Sequence, residues 1–146
     1  MKTPADVAIA GKLRASDWWL LRDTLVPGEP AGWNEAVENY LKQRISLRHL
    51  RPIRTLQTRL RGQGEGFSVV ALQCTLIEFL AAARVGKTYR RVANASLGEK
   101  EYNDSQDLFV RFLRAHSPFA DCLKTKREAN SFYVNIRCGL LHGGQH

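Results

Sequence analysis

Phe67 to Val85 reads FSVVALQCTLIEFLAAARV, the most apolar stretch of the chain. It is apolar on nearly every face, so its pattern is not the alternation of a half-buried strand. Nineteen residues also exceed the usual length of a strand, and the reading is a central buried helix. At 1.5 Å per residue it would run about 28 Å. Gly86 supplies the stop. One acid, Glu78, interrupts it. A carboxylate inside such a helix is costly unless paired or hydrogen-bonded, so Glu78 lies either on a wet edge or against a cation or cleft brought by another helix.

Working outward, the flanking segments keep a helical period. Ser16 is a candidate cap for a short helix through Trp18, Trp19, Leu21 and Leu25. Between Pro27-Gly28-Glu29-Pro30 and Gly62-Gln63-Gly64-Glu65-Gly66, Trp33, Val37, Tyr40, Leu41, Ile45 and Leu47 recur at mostly three- and four-residue steps. Pro52 removes a backbone donor and clashes with the preceding turn, so the expectation there is a break and a new short helix to about Arg61. Residues 87–103 read as a loop holding a turn of helix. Asp104 or Ser105 caps a helix from Leu108 to His116, and Ser117-Pro118 opens another. A last pattern runs from about Lys126 to Leu141, stopped by Gly143-Gly144. No alternating strand stands out. The expected fold is all-α: a compact helical bundle of about five to seven helices with short connections, in a single domain over residues 1–146.

The chain has 146 residues, with 44% hydrophobic and 25% charged. That suffices for one domain with its own core. Cysteines stand only at 74, 122 and 138, which argues against a disulfide framework and for a reducing, cytoplasmic setting. The absence of an uninterrupted apolar run of about 18 residues argues against a membrane span. The net charge is +8, and each half, 1–73 and 74–146, carries 11 basic and 7 acidic residues. The excess is thus spread through the fold, and a polyanion such as nucleic acid is the simplest partner. Lys42 to Arg61 holds seven cations and no acid. Arg44, Arg48 and Arg51 share a face by their spacing and are the candidate RNA-binding residues.

Three further patterns bear on the chemistry. Ala81 to Thr88, AAARVGKT, approximates a phosphate loop. That chemistry needs a strand before the loop and a helix after it, whereas this stretch reads as a helix end. The four His, at 49, 116, 142 and 146, are scattered, and no Cys pair has zinc spacing, so no metal and no cofactor are expected. Arg137 lies among apolar residues of the last helix, with His142 at its end. Five residues apart is about 140° around an ideal helix, so the two converge only where the helix tightens or unwinds.

Arg137-Cys-Gly-Leu-Leu-His142 resembles the R-x4-H signature of the HEPN superfamily, and FYVNIRCGLLHGG around it resembles the end of a HEPN helix. GEGFSVVALQCTLIEFLAAARVG is also similar to the long apolar helix of bacterial HEPN-like proteins. Together these stretches span about a quarter of the chain. Cys138 stands where the family often has Asn, Asp or His, and the sequence ends four residues after His142, where more chain is expected. The resemblance implies an all-α homodimer that cleaves RNA without a metal, as a toxin or phage-defence effector with an antitoxin or defence-system partner. It assigns Arg137 and His142 as catalytic, with Glu78 and Cys138 supporting. The alternative is a non-catalytic module binding RNA, a nucleotide or a protein.

Overall fold

The computed structural model describes residues 6–142 except 61 and 63, with side chains to Leu140. Its contacts divide the chain into two compact units, residues 1–61 and 62–146. The all-α expectation holds: the described residues form six helices and a few very short strands.

The first unit begins with a small antiparallel hairpin, β1 (Ala8–Ala10) and β2 (Leu13–Arg14). Gly11 makes its turn at φ +63°, a conformation that glycine adopts without steric cost. Such a hairpin is too short to show an alternating pattern. Helix α1 (Ala15–Thr24) follows directly. Its start is held by Asp6, which accepts from the Ser16 amide at 3.0 Å and the Ser16 hydroxyl at 3.0 Å, and by Asp17, which accepts from the Arg14 amide at 2.7 Å. Ser16 is therefore inside the helix as a donor, where the sequence suggested a cap. Trp18 packs edge-on against the buried Tyr40, ring centroids 5.0 Å apart.

Helix α2 runs unbroken over residues 30–59, correcting the expected break at Pro52. Conventional turns at Pro30–Ala36, Gln43–Ile45 and Arg51–Arg59 alternate with wider, i→i+5 bonded turns at Val37–Lys42 and Ser46–Leu50. The second wide stretch ends just before Pro52. A widened turn accommodates both the missing donor and the bulk of the ring, so the helix passes through the proline.

In the second unit, α3 (Glu65–Arg84) is the helix expected from the apolar run. Cys74, Ile77 and Ala81 are buried at helical spacing, while Phe67 is 48% exposed. By length and composition α3 also qualifies as a helix able to cross a membrane, which the run-length argument from sequence had discounted. The helix ends with two bonds that consume its last carbonyls: the Gly86 amide donates to Ala83 at 3.2 Å and the Lys87 amide to Ala82 at 3.0 Å. A short parallel pair, β3 (Thr88–Tyr89) and β4 (Glu101–Tyr102), flanks a single turn at Asn94–Ser96.

Helix α4 (Ser105–Ala115) is capped by Asp104, which accepts from the amides of Gln106 and Asp107. After α5 (Phe119–Cys122), α6 covers residues 126–142 as Lys126–Phe132, a widened stretch Tyr133–Cys138, and Gly139–His142. Thr125 and Glu128 form a reciprocal cap at its start. The core of this unit joins Cys74 and Ile77 of α3, Phe109, Val110 and Leu113 of α4, and Ala129 and Tyr133 of α6. Phe109 and Leu113 are fully buried. The proposed glycine stop at 143–144 lies outside the described residues.

Candidate functional site

Glu78 sits one position beyond Ile77, at the edge of the buried face of α3. On α6, Ala129, Tyr133 and Arg137 follow at four-residue steps toward the same core. The two elements bring the acid and the base together: Arg137 Nη2 donates to Glu78 Oε2 at 2.7 Å, with side chains 19% and 18% exposed. The costly carboxylate of the apolar helix thus has its cation. Its other oxygen accepts from the Ser105 hydroxyl at 2.6 Å, and the Tyr102 hydroxyl lies at 3.5 Å, the outer limit for such a bond.

Arg137 is also placed over the Tyr133 ring, its Cζ 5.3 Å from the centroid. A guanidinium there is attracted by the negative face of the ring. The Cys138 thiol lies near both Tyr133 and Arg137 and adds a minor upward push to the pKa of each. Burial alone would lower the Arg137 pKa, but its bond to Glu78 and the carboxylate charge hold it above the ordinary arginine value. Tyr102 is pushed up to about 12, first by burial and then by the Glu78 charge. Tyr133 is raised to about 12 mainly by burial, against the opposing pull of Arg137. Burial also pushes the Cys74 thiol up. Both tyrosines are therefore neutral hydroxyls through the physiological range and serve as donors, not bases.

Among the expected site residues, Glu78, Arg137 and Cys138 come together. His142 completes the backbone of α6, and its side chain lies outside the described residues. Ser105, Tyr102 and Tyr133 were not foreseen as site residues. Tyr133 has a usable signal in the sequence, its four-residue spacing from Arg137; Ser105 signals only a candidate cap. Among the described residues no group of three His, Cys, Asp or Glu side chains is arranged to hold a metal ion.

Arg44, Arg48 and Arg51 belong to the first unit. The widened turn at Ser46–Leu50 shifts the helical phase between them, so they do not form one equivalent row. Arg48 and Arg51 are exposed, whereas Arg44 is half-buried. The Arg44 Nε is buried and has no acceptor among the described residues. Burial, then repulsion from Arg48, holds the Arg44 pKa below the ordinary value. The phosphate-loop resemblance of residues 81–88 does not carry over. They form the end of α3, with the amides of Gly86 and Lys87 already bonded to helix carbonyls and unavailable to ring a phosphate.

Compared with family models, curated proteins and solved structures, the chain matches none.

Proposed function

We propose that the chain is a HEPN-like, metal-independent endoribonuclease. The observation that carries this reading is the Glu78–Arg137 pair: an arginine of the R-x4-H pattern, fixed by an acid of the neighbouring helix at the edge of an all-α core. In the proposed reaction the RNA 2′-hydroxyl attacks the adjacent phosphorus and the 5′-oxygen leaves. The products are a 2′,3′-cyclic phosphate and a 5′-hydroxyl. His142 would move the proton, a role imidazole suits near neutral pH. Arg137 would face the charge that builds on the phosphoryl oxygens. Glu78, Ser105 and Tyr133 would keep its fork oriented.

A homodimer through α6 belongs to the same reading. Val134 is 51% exposed and Ile136 37% exposed on that helix, apolar surface suited to a second copy. A two-fold axis there would bring two Arg137–His142 pairs to one groove. Sedimentation at micromolar concentration is expected to show a dimer, and a monomer would count against this arrangement. A toxin or defence role in the cytoplasm, with an antitoxin or defence-system partner, rests on the resemblance alone.

One observation favours a second reading. Arg137 is half-enclosed and its charge is already answered by Glu78, which suits a non-catalytic module that binds RNA, a nucleotide or a protein. The experiment that separates the two is incubation of purified protein with mixed RNA, with and without chelator. Cleavage that ignores chelator, leaves cyclic phosphate ends and spares DNA is expected. Arg137→Ala and His142→Ala should each lose ~100-fold or more. The double variant should be little worse than the weaker single one, since groups acting together are non-additive. Wild-type rates in both single variants would leave the binding module.

A further inference from the structure

We propose that a cleft between α3 and α4 binds an organic monoanion with an apolar body, the chemistry of a medium-chain carboxylate. The cleft holds about 390 Å³, a size usual for small-molecule sites, and lies wholly within the second unit. Leu108 and Phe112 of α4 lie one helical turn apart and line it, together with Leu97 of the connecting segment. Ala115 continues the same face of α4 without a bulky side chain. These side chains offer hydrocarbon and no polar group to whatever fills the space.

Hydrogen bonding decides which charges are left to meet a ligand. Each carboxylate of the lining is already engaged. Glu101 accepts from Arg90 and from the Gly98 amide, both at 2.8 Å, and Asp107 is bonded to Arg111 at 2.6 Å. Asp104 accepts from two amides of the first turn of α4. Arg84 and Lys87 line the cleft and have no hydrogen bond or ion pair among the described residues. The bond from the Lys87 amide to Ala82 folds the chain back on the last turn of α3, which keeps Lys87 beside the turn that carries Arg84. The unengaged groups are therefore cationic donors, and the group they lack is an anion. Charge also limits that anion. Among carboxylate, ammonium and guanidinium groups, and with Arg90 counted beside its partner, Arg84, Lys87, Arg90 and Arg111 stand against Glu101, Asp104 and Asp107. Four positive charges meet three negative ones, so a monoanion balances the cleft and a dianion overshoots beside Asp104 and Asp107. A carboxylate forked on Arg84, with its hydrocarbon over Leu97, Leu108 and Phe112, uses both halves of the lining. A cationic or uncharged amphiphile would leave Arg84 and Lys87 unanswered. This cleft is not the Glu78–Arg137 cluster, and the inference stands whether or not the chain cleaves RNA.

The competing account is that Arg84 and Lys87 serve only the negative end of α3. Calorimetric titration of the whole chain at pH 8 with octanoate, acetate, octylamine and octyl phosphate separates the two. Octanoate should bind one per chain with Kd below about 1 mM. Acetate, which lacks the apolar body, and octylamine, which carries the wrong charge, should each bind ~10-fold more weakly or worse. Octyl phosphate, a dianion at that pH, should bind more weakly than octanoate. Ala115→Trp, at an exposed position, should fill the cleft and abolish binding. Arg84→Ala with Lys87→Ala should weaken it ~10-fold or more. Circular dichroism verifies folding of each variant; if Ala115→Trp fails to fold, the Arg84/Lys87 variant decides. No octanoate binding below that concentration, several octanoates per chain, any of the other three probes binding as tightly, or affinity unchanged in a folded variant would overturn the proposal.

Discussion

Arg44 and Arg137 are both partly enclosed, and both lie in or beside a widened helical turn, yet their surroundings solve the same electrostatic problem in opposite ways. Arg137 meets a carboxylate, a tyrosine face and a thiol, and its charge is held more firmly than in water. Arg44 meets another arginine, and its Nε has no acceptor among the described residues. Burying an ion is tolerable when the fold supplies its counter-charge and costly when it does not. The second unit has therefore settled its cation internally. The first leaves Arg48 and Arg51 exposed beside Arg44, in a segment whose charge an outside anion would relieve.

Breaking the settled side should give the largest effect. Glu78→Ala strands Arg137 in a partly buried position and should cost about 2–3 kcal/mol in denaturant unfolding. Replacing both partners with apolar residues, Glu78→Leu with Arg137→Met, should recover most of that loss. A single-variant cost below about 0.5 kcal/mol would mean that the pair is no more than a surface bridge.

Alkaline titration probes the same cluster through its phenols. Tyr102 and Tyr133 ionise near pH 12 in the folded chain and near pH 10 when unfolded. Their folded-state values are raised, so the stability they contribute is complete below pH 10 and is lost as pH rises from 10 toward 12. Unfolding free energy should fall over that window, and less steeply in Tyr102→Phe and Tyr133→Phe. An unchanged slope in both variants would show that neither phenol is held back by its surroundings.

Salt dependence of RNA binding should register the open side, with the smallest change. Arg48→Ala and Arg51→Ala should each reduce the magnitude of the log–log salt slope by about 0.7 for a single strand. Arg44→Ala should change it less, because Arg44 is half-buried. Equal losses at all three positions would restore the single cationic face read from their spacing, and no loss at Arg48 or Arg51 would remove this segment from RNA contact.

Much of the second unit was legible because its signals are local. The apolar run at 67–85, the capping residue Asp104 and the glycine after Val85 each report on a few neighbouring residues, while the Thr125–Glu128 cap went unread. Glu78 stood out because an acid in that run demands a partner, and the partner proved to be Arg137. The first unit was harder. Its hairpin is only a few residues long, and Pro52 breaks a helix by every local rule until the preceding turn widens. Tyr102 and Ser105 reach Glu78 from 24 and 27 residues away, which no periodicity records.

The widened stretch Tyr133–Cys138 has a consequence for how this chain can change length. A wide turn is how a helix whose ends are already anchored absorbs one surplus residue. Removing a residue there would let α6 close into regular turns with both anchored flanks kept in place, so the change of phase would fall on these six residues themselves. Arg137 could then no longer meet both Tyr133 and Glu78, although every functional side chain would still be encoded. Insertions and deletions in these six residues thus act as a rotary setting of the site, and substitutions do not.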